Sequence, residues 1–118
     1  MEEEVRKLRD SGPGGISHAG ELETSCMLYL EPELVRRERQ HRFVPRWRTR
    51  NFGLGWYVPS PAYLGFHVRD FSKTGEVGDP TVATAEKGRK FLELAARRVA
   101  EFLVEFSSWE IPELYEEG

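Results

Sequence analysis

The stretch TAEKGRKFLELAARRVAEFLVEF, Thr84 to Phe106, carries the clearest structural signal in the chain. Apolar side chains recur in it at intervals of three and four residues, and charged side chains fall mostly between them. The apolar set is Phe91, Leu92, Ala95, Val99, Phe102, Leu103 and Phe106. This spacing predicts an amphipathic helix, roughly 34 Å long, that packs its apolar side over a sheet.

The remainder of the chain offers little sheet for such a helix to cover. Residues 1–11 predict a short helix or a leader, which the breaker Ser11-Gly12-Pro13-Gly14-Gly15 ends. Residues 63–71 are a strand candidate, residues 74–80 predict a loop, and residues 107–118 predict an extended acidic tail. Because strands are scarce, we expect part of the fold to come from another chain or to be lost.

Composition limits the class of protein. The 118 residues suffice for one domain, and the net charge of −3 argues against nucleic acid as the partner. No run approaches the ~20 apolar residues of a membrane helix, and the charged start is not a secretory signal. The single cysteine, Cys26, excludes an internal disulfide, so a reducing, cytoplasmic location is expected.

The segment ISHAGELETSCMLYL, Ile16 to Leu30, predicts a second helix. Ser17 is its candidate cap, and Pro32 should end it at Leu30 or Glu31. At 100° per residue, one sector of this helix is apolar and should be buried. That sector holds Ala19, Leu22, Cys26, Tyr29 and Leu30, whereas His18, Glu21 and Ser25 form another and Glu23 lies at the apolar edge.

Two interpretations of these polar residues remain open on pattern alone. In the first, Glu21 and Glu23 complement the positive end of the helix dipole, and His18 is a surface residue. In the second, His18 and Glu21 face a cleft and Glu23 braces the helix. An imidazole can exchange a proton near neutral pH, and a neighbouring carboxylate can orient it.

Two motifs resemble the creatininase family of metal-dependent amidohydrolases. They are HAGELETS at 18–25, followed by MLYLEPELV at 27–35, and TGEVGDPTVATAEKG at 74–88. The resemblance covers residues 12–106. It implies an α/β class, part of a three-layer fold with a mainly parallel sheet that is incomplete in this chain. It also implies hydrolysis of a C–N bond in a cyclic or linear amide by water activated on two divalent metals, namely zinc, manganese or iron.

The resemblance also implies roles for individual residues. His18 matches the histidine that donates a proton to the leaving nitrogen. Glu21 and Glu23 match the two acidic motif positions, with Glu21 expected nearer the cleft and Glu23 more structural. Asp79 and Thr81 match a loop near the pocket mouth. Independently of the family, Trp47, Trp56 and Tyr57 are candidates for lining a substrate pocket contributed to a neighbour, although a core or interface role is the preferred interpretation.

The departure from the family pattern concerns the metal ligands. Of the three histidines, His18, His41 and His67, none stands in a Glu-x-His or Gly-His arrangement, so we assign no metal ligand. The chain matches the carboxy-terminal half of the pattern. We therefore expect no stoichiometric zinc or manganese, no activity in isolation, and association as a homo-oligomer or with a complementary amino-terminal half. The alternative is a non-catalytic remnant or assembly subunit of the same fold.

Two further features receive structural interpretations. The run Arg36 to Arg50 holds seven arginines and, with Phe43 and Trp47, has the composition of a single-strand binder. A solvated or subunit-facing segment is the preferred interpretation, since arginine suits interface ion pairs. Cys26 is interpreted as a small core residue and not as a nucleophile.

Overall fold

The architecture is that of three helices joined by long irregular segments. The computed structural model describes residues 1–45, 49–58, 60–65, 67–70 and 72–109. The helices are α1 (Glu2–Leu8), α2 (Glu21–Leu30) and α3 (Ala85–Phe106). Short 3-10 turns occur at Pro32–Leu34, Arg37–Arg39, Val68–Asp70 and Pro80–Val82. None of the helices in these ranges is long and apolar enough to cross a bilayer.

Helix α3 begins and ends where the sequence pattern predicts. The Thr84 hydroxyl accepts a hydrogen bond from the Lys87 backbone N–H at 3.2 Å and so caps its first turn. The helix then continues to Phe106 without a glycine beyond Gly88 or any proline to interrupt it. The predicted short helix at the start of the chain is confirmed as α1, and Pro32 ends α2 at Leu30.

The expected three-layer α/β fold with a mainly parallel sheet is wrong for this chain. In the described residues, extended segments pair only at two isolated antiparallel bridges, His18 with Val77 and Phe43 with Gly78. Within the described part of the strand candidate 63–71, the chain forms a 3-10 turn at Val68–Asp70. Two hydrogen bonds close this turn: the His67 N–H donates to the Asp70 carboxylate, and the Asp70 N–H donates to the His67 carbonyl oxygen. Helix α3 therefore covers another helix, α2, and not a sheet.

The predicted start of α2 and its predicted buried face are wrong. The helix begins at Glu21 with Gly20 as N-cap, so Ser17 does not cap it. Its buried residues are Glu21, Ser25 and Leu28. The apolar pattern misled the prediction because a cluster of polar partners, described below, binds Glu21 on the side that faces α3.

The hydrophobic core is small and lies where the three helices meet. Its buried members are Val5, Ile16, Phe91 and Leu94, with Leu8, Leu22, Cys26 and Tyr57 packed against them. Cys26 therefore has the core position that its type suggested. Burial raises the pKa of the Cys26 thiol, and the charge of Glu23 adds to the effect, so the reactive thiolate is disfavoured.

The second half of α3 presents apolar side chains to solvent. Phe102, Phe106 and Trp109 form an aromatic cluster with ring centroids 5.4 to 6.0 Å apart, and each is at least half exposed. Val99 and Leu103 are also more than half exposed. The second half of α3 thus exposes apolar surface that the described residues do not cover.

Candidate active site

The backbone holds His18 in place while its imidazole stays exposed. The carbonyl oxygen of His18 accepts a hydrogen bond from the Val77 N–H at 2.8 Å. Two residues earlier, the Ile16 carbonyl accepts one from the Trp56 N–H at 2.9 Å. Residues 16–18 are therefore hydrogen-bonded to two other segments of the chain, although they belong to no helix or strand.

Glu23 supports the residue that follows His18. Ala19 has a φ of 49°, in the left-handed region that alanine adopts only at a cost of roughly 1–2 kcal/mol. The Glu23 carboxylate accepts a hydrogen bond from the Ala19 N–H, and the Thr24 hydroxyl donates to the Ala19 carbonyl at 3.2 Å. These two contacts offset the strain. Glu23 thus positions the turn that carries His18.

Glu21 is enclosed by donors and does not face a cleft. Its side chain is 0% exposed. Its two oxygens accept hydrogen bonds from the backbone N–H groups of Asp10 and Ser11, each at 2.8 Å, from the Ser11 hydroxyl, and from the Lys87 ammonium at 2.6 Å. Of the two motif glutamates, Glu21 is therefore the deeper and Glu23 the nearer to His18, the reverse of the expected order.

Lys87 completes this buried arrangement from helix α3. Its ammonium group contacts Asp10 and Glu21, each at 2.6 Å, and also the Val82 carbonyl oxygen. Desolvation opposes both charges, but the hydrogen bonds outweigh it: the pKa of Glu21 is lowered and the pKa of Lys87 is raised. The sequence analysis did not identify Lys87. The one signal for such a residue is that a buried glutamate requires a cation as its partner.

His18 lies on the wall between two cavities. The first, here called the apolar cavity, has a volume of about 360 Å³ and is lined by Leu54, Trp56, Tyr63 and Leu64 among others. The second, called the polar cavity, has a volume of about 410 Å³, and its polar lining residues besides His18 include Glu23, Thr24, Gln40 and Glu76. The imidazole can therefore reach a ligand in either cavity.

The structure brings together only some of the residues proposed to bind substrate. Trp56 shares the apolar cavity with His18. Tyr57 instead packs against the core and lines a different cavity. Asp79 is buried and accepts hydrogen bonds from Arg42 Nε at 2.9 Å and from the Thr81 N–H at 3.2 Å. Neither Asp79 nor Thr81 lines the two cavities next to His18.

The described residues do not fit a centre for two metal ions. Nowhere in those ranges do three or more histidine, cysteine, aspartate or glutamate side chains meet in a way that could hold a cation. The buried carboxylates of Glu21 and Asp79 are already paired with donors from this chain. We therefore derive no catalytic step through a metal from these residues.

The arginine run of residues 36–50 contacts the segment 76–79 near the site, where Phe43 also pairs with Gly78. Arg42 pairs with Asp79, and Arg36, Arg37 and Arg39 are exposed, in keeping with the preferred interpretation of a solvated segment. Of the two aromatic residues of this run, Phe43 is described, whereas Trp47 lies outside the described residues, as do Arg46 and Arg48.

Comparison with protein families identifies the class of protein. The model of the creatininase family, described as creatinine amidohydrolase, matches residues 1–103. Because that match spans most of the chain, the protein belongs to the creatininase family, a family of hydrolases that are generally metal-dependent. The resemblance of the two sequence motifs to this family is confirmed.

Among curated proteins, the chain is similar to enzymes named mycofactocin precursor peptide peptidase. Those of Mycobacterium tuberculosis strains CDC 1551 / Oshkosh and ATCC 25618 / H37Rv are 41% identical over 106 positions, covering 80% of this chain and 39% of each relative. That of Mycobacterium ulcerans strain Agy99 is 36% identical over 97 positions, covering 73% of this chain and 35% of the relative. The chain thus spans less than half the length of these relatives. No solved structure matches it.

Proposed function

We propose that this chain forms the proton-donating part of a creatininase-family hydrolase that cleaves an amide bond in a peptide. The peptide is preferred over a small cyclic amide because the curated relatives are named as peptidases of a precursor peptide. The observation that carries the proposal is the placement of His18, an exposed imidazole on a fixed backbone between two cavities.

The role of His18 follows from the chemistry of amide cleavage. When water adds to the amide carbon and the C–N bond breaks, the departing nitrogen requires a proton. His18 supplies that proton as general acid, while Glu23 positions the turn that bears it. Trp56 supplies an apolar wall to the same cavity.

The metal ions are proposed to be held by protein outside this chain. The described residues lack a suitable ligand cluster, and the relatives are more than twice as long as the matched segment. Bound zinc, manganese or iron would supply an activated water and polarise the carbonyl. The one cysteine of this chain, Cys26, is a free and partly buried thiol, which suits a reducing cytoplasm.

The substitution His18→Ala tests this proposal. The chain is mixed with a protein that supplies the amino-terminal half of the family pattern and with a divalent metal, and peptide cleavage is followed by mass spectrometry. We expect His18→Ala to lower kcat by about 100-fold or more, because general acid catalysis contributes that much. His67→Ala, a change of another exposed histidine, should leave kcat unchanged. Equal kcat values in all three proteins would contradict the proposal and favour a non-catalytic subunit.

We further propose that the aromatic cluster of α3 contacts a second copy of the chain. Phe102→Asp should shift the chain toward monomer in light scattering, because a charge in a buried apolar contact is strongly unfavourable. The matched control is Leu34→Asp, which alters another exposed apolar residue, away from the aromatic cluster. A wild-type chain that is monomeric across the concentration range would disprove self-association.

A further inference from the structure

Residues 77–79, here called the support segment, contact the turn that carries His18 through backbone atoms. The Val77 N–H donates a hydrogen bond to the His18 carbonyl oxygen at 2.8 Å, and the Asp79 N–H donates one to the Gly15 carbonyl oxygen at 3.0 Å. Backbone atoms cannot rotate away from a contact as a side chain can. The position of His18 therefore depends on the position of the support segment.

Gly78, the middle residue of the support segment, fits tightly against the same turn. A Cβ built on Gly78 would lie 2.7 Å from the Cα of Gly20, closer than a side-chain carbon can approach, so the two backbones are in direct contact. The Gly78 N–H and carbonyl oxygen also form hydrogen bonds with the backbone of Phe43, at 2.7 and 2.9 Å. The arginine run of residues 36–50 is thus linked to the turn of His18 through the support segment.

One ion pair fastens the arginine run to the support segment. Arg42 Nε donates a hydrogen bond to the Asp79 carboxylate at 2.9 Å, one residue before the backbone pairing of Phe43. The Asp79 side chain is buried, and within the described ranges Arg42 is the one cationic side chain that reaches it; Thr81 donates to it without a charge. Removing the partner of a buried charge is costly. Without Arg42, we therefore expect the Asp79 carboxylate to turn toward water and to draw the support segment away from His18.

We propose that Arg42 is a positioning residue for His18, because its ion pair with Asp79 keeps the support segment against the turn of His18. The described lining of the two cavities next to His18 includes neither Arg42 nor Asp79, so both act through His18 and not on the substrate. This inference rests on the proposed function, since it names a residue that orients the general acid of that site. It also assigns a role to one member of the arginine run.

The positioning role can be tested without turnover, by ¹⁵N relaxation measurements on the labelled 118-residue chain. The reporters are the backbone amides of His18 and Ala19, and the reference is the amide of Leu94 in the buried part of α3. In Arg42→Ala we expect the order parameters of the reporters to fall from about 0.85, typical of rigid backbone, to about 0.6 or below, while that of Leu94 stays unchanged. A general loss of stability would not produce this pattern, because order parameters describe motion within the folded state.

Two further variants complete the measurement. Asp79→Asn, which keeps the shape of the side chain and removes its charge, should loosen the reporters as Arg42→Ala does, and the two changes together should do no more than either alone. The control Arg37→Ala removes an exposed arginine of the same run and should behave as wild type. Reporters that stay rigid in Arg42→Ala, or that loosen equally in Arg37→Ala, would overturn the proposal.

Peptide cleavage by the assembled enzyme gives a second readout. Arg42→Ala should lower kcat about tenfold with KM nearly unchanged, since a small misplacement of a catalytic group slows the reaction without weakening substrate binding. In the His18→Ala background the same change should have no further effect on kcat, because Arg42 acts only through His18. An equally large loss in that background would show that Arg42 is merely structural.

The two readouts separate this inference from the proposed function. A wild-type enzyme that cleaves no peptide would refute the proposed reaction, whereas the relaxation data would still decide whether Arg42 holds the turn of His18. Peptide cleavage that depends on His18 but not on Arg42 would refute only the positioning role.

Discussion

Glu21→Gln is expected to lower the free energy of unfolding by about 3–5 kcal/mol, the range for breaking one member of a buried ion pair. The new amide nitrogen would face a backbone N–H or hydroxyl donor at a site where every group around Glu21 donates. It would also leave the Lys87 ammonium without its fully buried partner. Urea unfolding followed by circular dichroism measures the change.

A matched control separates burial from charge. Glu93→Gln removes an exposed glutamate that pairs with Arg89 on the surface of α3. Such exposed pairs contribute about 0–1 kcal/mol, so this variant should unfold nearly as the wild type does. If Glu21→Gln and Glu93→Gln had similar effects, the buried arrangement around Glu21 would not stabilise the fold.

The same pair gives the stability a defined pH dependence. The pKa of Glu21 is lowered by folding, so its contribution is present above its unfolded value of about 4.3 and is lost as the pH falls through the lower folded value. The pKa of Lys87 is raised, so its contribution is present below about 10.4 and is lost as the pH rises through the higher folded value. In Glu21→Gln the loss of stability below about pH 4 should be smaller.

Gly88→Ala is expected to destabilise the chain by about 1–3 kcal/mol through overpacking between α2 and α3. A Cβ added at Gly88 would lie 1.9 Å from the carbonyl oxygen of Ser25, so the two helices would have to move apart. Alanine favours a helix over glycine by about 1 kcal/mol, which opposes the loss but does not remove the clash. Thermal unfolding measures the net effect.

Two controls isolate the clash at Gly88. In a synthetic peptide of residues 84–106 the same substitution should increase helicity, because no second helix is present there. Gly65→Ala in the whole chain should be nearly neutral, since no atom in the described part of the chain lies within 4 Å of its added Cβ. A rise in the unfolding temperature of Gly88→Ala would show that α2 and α3 do not pack as closely as described.

Local signals were sufficient to predict that the three helices exist and where α3 begins and ends, but not where α2 begins. The apolar spacing and the Thr84 cap of α3 act within a few residues of the chain, so its ends could be predicted from the sequence. The 63–71 strand candidate failed because the Asp70 contacts with His67 close a turn there. The long-range question of what α3 packs against has no local signal, and the expected sheet was wrong.

The candidate site, too, could be predicted from the sequence only in part. His18 and Trp56 line one cavity, but His18 lies in an irregular segment before α2 and not in the first helical turn that the sequence predicted. The order of the two motif glutamates was mispredicted. Helical spacing predicts which positions are buried from the apolar residues nearby in the same helix. Glu21 is buried because of its partner Lys87, which is far away along the chain and therefore leaves no signal in that spacing.

The sequence by itself determined the family, the three helices and the histidine that the proposed reaction uses, because each depends on contiguous motifs or short-range spacing. Only the tertiary structure decided that Glu21 is buried against Lys87, that Glu23 supports the turn of His18, and that Arg42 pairs with Asp79 beside that turn. The physical reason is that a buried charge depends on which distant segments supply its partners.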